Sequence, residues 1–212
     1  MKARITGWAL AVMMGMASSA YGQTGPREGA RAWIEHRHAA VNQLLGQPAS
    51  AERNARVARV LDAMLDLNEL ARRALEPAWT QRTEAERTEF VDLLRQLIDR
   101  NYQQNLERTL NFTVSYDPET VDAASGDATV HTVARSRTDA RAAPVTVEYR
   151  LHPRDRGWVV YDIVTNGASL VQSYHDSYMR IIRDHGFPEL LTRMRNRIAQ
   201  MASGPDGGTA GP

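Results

Sequence analysis

The sequence contains no cysteine. That excludes disulfides, thiolate catalysis and a lipid anchor on cysteine, so stability must come from packing alone. Lysine is nearly absent as well: Lys2 is the only one, and every later basic residue is arginine. Codon bias explains this without invoking a phosphate site. No strong charge imbalance exists. Residues 1–22 hold Lys2 and Arg4 and no acid; of 26 basic and 25 acidic side chains, the rest of the chain carries 24 and 25, a net of −1. That balance argues against an electrostatic nucleic-acid binder. There is no long apolar run: Ile5 to Ala17 is too short for a comfortable membrane span. Glycine-rich phosphate loops, nucleophile elbows and metal-ligand spacings are also missing.

What is present at the start fits an export signal. Lys2 and Arg4 precede the apolar stretch, and Ser18-x-Ala20 or Ala20-x-Gly22 offers small residues for cleavage after Ala20 or Gly22. Residues 1–22 are therefore expected to be removed. Residues 23–202 are expected to form a single domain, since 42% hydrophobic content and this length fit one core. The Gly- and Pro-rich tail 203–212 is expected to be disordered.

Helical spacing dominates the first half. Arg27–Leu45 carries an apolar stripe of Ala30, Trp33, Ile34, Val41, Leu44 and Leu45. Ser50 is a candidate N-cap for a helix bearing Val57, Val60, Leu61, Met64 and Leu65. Leu67–Leu75 reads as a short helix that Pro77 interrupts. Thr83 to Glu86 has the capping-box form and opens a helix to about Leu106. Leu94, Ile98 and Tyr102 lie on its apolar face.

Then the period changes. Residues 109–116 and 128–135 read as strands. Val145, Val147, Tyr149 and Leu151 alternate with polar residues. Trp158–Val164 is β-branched and aromatic, and Asn166-Gly167 breaks it. Leu170, Tyr174, Tyr178, Ile181 and Ile182 return to helical spacing until Gly186. A last helix covers 188–201. The order predicts an α+β fold: an antiparallel meander of about four strands against flanking helices.

Few residues invite chemistry. His36 and His38 diverge on a helix, as do His175-Asp176 and Asp184-His185, so all read as solvated surface groups. Asp162 beside Tyr161 could serve acid–base work, but the preferred reading is a hydrogen bond to the turn before the last helices. Ser169 reads as a helix start. No cofactor is expected. From pattern alone, the shared apolar faces read as a solid core.

The residues Trp158, Tyr161-Asp162, Gly167-Ala168-Ser169-Leu170, Tyr174, Ile181-Ile182-Arg183 and Gly186-Phe187 occur in an order that resembles the MlaC family. Its members are periplasmic phospholipid carriers of the Mla lipid-asymmetry pathway, also called toluene-tolerance auxiliary components of ABC transporters. Thr83, Arg87, Phe90, Leu94, Arg100 and Tyr102 extend the resemblance upstream, to roughly residues 30 to 200. These are packing motifs, so their order carries the weight. The resemblance implies an NTF2-like cone whose curved sheet and helices enclose an apolar cavity, with phospholipid as cargo. It implies two docking partners, an outer-membrane lipoprotein complex and an inner-membrane ABC transporter with MCE domains. Tyr102, Tyr161, Leu170 and Tyr174 carry over best as wall residues. Leu94, Ile98, Val145, Val147, Tyr149, Ile163, Tyr178 and Ile181 join them by alternation and helical facing. Ala168 stands where many members have Val, which would reshape the wall slightly. A monomeric periplasmic carrier, not an enzyme, is the expectation; an isomerase or dehydratase on the same cone is the alternative.

Overall fold

The computed structural model describes residues 28–155 and 157–202, without the side chains of residues 103–109. The expected export signal and tail lie outside these residues. Among the described residues, no helix is long and apolar enough to cross a membrane.

Four helices come first: α1 Ala30–Leu45, α2 Ala51–Met64, α3 Leu67–Ala74 and α4 Glu84–Thr109, with a 3₁₀ turn at Ala78–Gln81. Strands β1 Phe112–Tyr116, β2 Thr120–Val121, β3 Ala128–Ser136, β4 Val145–Arg154, β5 Gly157–Thr165 and β6 Ala168–Ser169 follow. Helices α5 Leu170–His185 and α6 Phe187–Ala202 close the fold. Polar side chains fix several of the starts. Ser50 accepts from the Arg53 amide at 3.0 Å. Thr83 and Glu86 satisfy each other's amides, at 2.8 and 3.3 Å, as the capping box predicts.

All the pairings named within the sheet are antiparallel, in the order β1-β3-β4-β5-β6. β2 joins the same edge of β3 as β1, so Asp117-Pro118-Glu119 interrupts what is otherwise one long strand. β1 and β6 do not pair, and the sheet stays open. A register shift between Arg150 and Leu151 bends it. The predicted meander is therefore present. It gains a short hook at Ala168–Ser169, two residues expected to begin the last helix pair. Asn166 and Gly167 both adopt positive φ, 48° and 84°, and fold β6 back onto β5.

The register sets side chains in rows across the inner face. Ala128, Leu151 and Val160 form one row; Val130, Tyr149 and Ile163 the next; Thr132, Val147 and Thr165 a third. Helices α1 and α2 cover the first row with Ala30, Trp33, Ile34 and Met64. A second cluster joins α3, α4, α5 and α6 around Phe90, Leu94, Tyr178 and Phe187. A third joins α1 and α2 through Val41, Leu44, Leu45 and Val57, with Tyr102 and Leu110 against it.

One buried carboxylate pins the helices to the sheet. Asp66, 3% exposed, lies between α2 and α3. Its amide donates to the Val160 carbonyl at 2.8 Å. Its side chain caps α3 through the Glu69 amide, accepts from Arg154 and lies 3.1 Å from His152 Nε2.

Leu151 is fully buried in the first row. Leu151→Ala should cost about 3 kcal/mol in urea unfolding. A loss under about 1 kcal/mol would mean that the site relaxes and the first row is not the packed end of the sheet.

Candidate functional site

Burial falls along the inner face. In the first row Ala128, Leu151 and Val160 are at most 1% exposed. In the second, Val130 is buried but Tyr149 and Ile163 are half-buried; in the third, Thr132 on β3 is still buried, Val147 is half-buried and Thr165 exposed, so the fall is along β4 and β5. Ala134 and Val145, paired beyond them, are half-buried too. Helices α1 and α2 thus close one end of this face and leave the other partly open. Apolar β-strand side chains that are only partly covered mark a surface suited to an apolar ligand.

A matching set sits on the helices. Ile98 and Tyr102 on α4, and Leu170, Val171, Tyr174 and Ile181 on α5, are all half-buried. Ser169 pairs with Val164, so Leu170 emerges next to Ile163 in the register. The start of α5 is fixed by two caps. The Gln172 amide donates to Ser169 Oγ at 3.0 Å. Buried Asp162 accepts from Ser169 Oγ at 2.8 Å and from the Val171 amide at 3.1 Å, with Arg150 3.3 Å away. Both residues serve the turn and the helix start, as the preferred sequence readings have it.

The twelve expected wall residues do not line one cavity. Leu94 and Tyr178 are buried within the helical cluster, where the Tyr178 ring meets Phe90 edge-on with centres 5.5 Å apart. Tyr102 belongs with the α1–α2 cluster. Tyr161 stands apart from Ile163: its ring stacks on His152 at 5.7 Å, with the Arg73 guanidinium 4.2 Å from its centre. It lines a polar pocket of about 440 Å³ with Arg73, Glu76, Arg150, Asp162 and His175. The irregularity at Arg150/Leu151 breaks the alternation that grouped Tyr161 with Ile163. Val145, Val147, Tyr149 and Ile163 share the inner face of the sheet, whereas Ile98, Leu170, Tyr174 and Ile181 pack against the helical cluster.

The inner face also carries a polar insert that the sequence reading missed. His38 is not a solvated surface group. It lies on the α1 stripe between Ile34 and Val41 and is half-buried against the sheet. Its Nδ1 is 2.7 Å from Tyr116 Oη and its Nε2 is 3.1 Å from Tyr149 Oη. Burial holds the imidazole below its ordinary value. Burial likewise lifts the Tyr116 phenol to about 12, with Glu35 adding to it, and lifts Tyr102 to about 12. Tyr149 is raised by burial and then by the neighbouring Tyr116 and Tyr102 phenols. His36, by contrast, is exposed and meets Glu28 at 2.8 Å. Among the described residues, no group of three or more His, Asp and Glu is placed to hold a metal.

Comparison with known proteins is consistent with this picture. The family described as MlaC protein matches over residues 37–196. Among solved structures, the phospholipid-binding protein from Ralstonia solanacearum, in complex with a phospholipid, shares this fold with a TM-score of 0.72. It is 23% identical, and the match covers 82% of this chain and 99% of that one. None of the curated proteins matches.

The half-buried His38 ring has a pH signature. With its folded value depressed, the unfolded chain takes up the proton first as pH falls. The stability contributed by the neutral ring is complete above the unfolded value of about 6.5 and is lost below it, until the folded value is passed. Urea midpoints between about pH 8 and about pH 5 should fall more steeply for the natural chain than for His38→Phe. Equal slopes would show that His38 is solvated after all.

Proposed function

The chain belongs to the MlaC family, and on that premise we propose that it carries phospholipid across the periplasm. The observation that supports this is the loss of burial along the inner face of the sheet. Val145, Val147, Tyr149 and Ile163 stay half-buried beside Leu170, where a filled core would bury them.

The energetics favour such a device. A two-chain phospholipid has on the order of thirty CH₂ groups, each costing ~0.8 kcal/mol in water. That gross cost, above ~20 kcal/mol, makes free aqueous transfer very slow. An apolar slot lets acyl chains leave the membrane with little net change, while the headgroup stays in water. No reaction and no cofactor is required. Direction comes from partners: in this reading the carrier, a monomer released from its export signal, docks in turn on an outer-membrane lipoprotein complex and an inner-membrane MCE-domain ABC transporter. Together they maintain outer-membrane lipid asymmetry. The alternative, an isomerase or dehydratase using Asp162, has less support, because both Asp162 oxygens are committed to Ser169, Val171 and Arg150.

Native mass spectrometry of the gently purified protein should find phospholipid bound, or taken up from labelled vesicles. Bare polypeptide both before and after mixing would count against the carrier. Leu170→Trp should fill the slot and lower uptake roughly tenfold, the effect of losing about 1.4 kcal/mol of chain contact, with the circular dichroism unchanged. Undiminished uptake would remove Leu170 from the wall.

A further inference from the structure

The His38–Tyr116–Tyr149 cluster contains one hydrogen-bond donor more than it uses. A neutral imidazole has one N–H and one bare nitrogen. Both nitrogens are in contact with phenol oxygens, at 2.7 and 3.1 Å. One contact is therefore ring N–H to phenol oxygen, and the other phenol O–H to ring nitrogen. The phenol that accepts keeps its own hydrogen. In one tautomer the spare O–H is on Tyr116; in the other it is on Tyr149. Neither hydroxyl has a second partner among the described residues.

The location of the spare donor matters. Tyr149 stands in the second row beside Ile163, with Val147 on the half-open side and Leu151 on the closed side. The cluster thus stands at the boundary between the packed end of the face and the open end. His38 takes a position on α1 that an apolar residue would fill, since Ile34 and Val41 flank it on the same buried stripe. A donor left unpaired there costs stability unless a ligand or water accepts it. An alkyl chain cannot accept it. The lipid does carry an acceptor where its chains begin: the ester carbonyl.

We propose that the His38–Tyr116–Tyr149 cluster is a hydrogen-bond subsite for the ester carbonyl of a bound glycerolipid. This rests on the carrier reading and deepens it: the apolar wall holds the chains, and the cluster sets how far they enter. Tautomer exchange of His38 lets either phenol supply the donor, so the subsite serves a carbonyl on either side of the ring. A free fatty acid would offer the same acceptor chemistry through its carboxylate.

The test compares phosphatidylcholine having two ester-linked oleoyl chains with its ether-linked counterpart, which lacks carbonyls. Single phenol variants leave donors behind, so the informative variant is His38→Phe with Tyr116→Phe and Tyr149→Phe. Replacing all partners by apolar groups of similar shape is tolerated better than removing one. The natural protein should hold the ester lipid about three- to tenfold more tightly than the ether lipid, the range expected for one hydrogen bond. In the triple variant that ratio should fall to about one. Oleate should compete for the natural protein more strongly than oleyl alcohol does if the carboxylate is taken at the same donor; equal competition assigns the subsite to the diacyl ester alone. A natural protein that binds both phosphatidylcholines equally, or a triple variant that keeps the preference, would overturn the subsite and leave the carrier standing. Binding of neither lipid would instead sink the carrier reading, and the subsite with it.

Discussion

The carboxylate of Asp66 ties the two halves of this protein together. Apolar contact is non-directional and would let the helices slide over the sheet. Asp66 removes that freedom. Its amide is bonded to the β5 backbone, and Leu65 beside it forms a parallel bridge with Val160. Its side chain holds the start of α3 while facing Arg154 and His152 on β4. Leu65 packs in both the sheet cluster and the helical cluster. Removing a cationic partner from such a buried charge is costly, because the remaining charge has no water to turn to. The closed end of the inner face and the position of α3 both follow from this anchor.

With that end fixed, the other end can afford to be incomplete. Helix α1 buries Trp33 and Ile34 deeply and then presents His38 where the covering thins. Polar and apolar roles are thereby separated in space. The Asp66 group lies at the sealed end, the three-ring group at the transition, and the half-buried aliphatic side chains beyond it. The carboxylates that could be taken for a catalytic group hold local structure instead. Asp162 and Ser169 are the clearest example: adjacent to a tyrosine and near a histidine in sequence, they spend their oxygens and hydroxyl on starting a helix.

Much of the fold was legible because it follows local rules. The alternation from Val145 to Leu151, the capping box at Thr83 and the helical spacing after Leu170 each depend on a few neighbouring residues. The half-covered apolar face was legible where it reused those rules, as in the shared facing of Val147 and Tyr149. It was hidden where they break. Tyr161 leaves its expected neighbours because a bulge cannot be read from alternation. Ala168 and Ser169 form a strand too short to show a period. His38 was masked by charged neighbours, His36 and Arg37, although its place on the stripe through Ile34, Val41 and Leu45 was there to be read. Long-range partnership, here with Tyr116 and Tyr149, leaves no trace in spacing.

The passage from β6 into α5 has no loop. Ser169 ends the strand and caps the helix through the Gln172 amide, and Asp162 of the neighbouring strand accepts from the Val171 amide. A hinge needs residues free to absorb a change of backbone angle, and between β6 and α5 there are none. The first turn of α5 is therefore tied to the sheet edge. Any displacement of that turn would have to carry β6 and the Asp162 contacts with it.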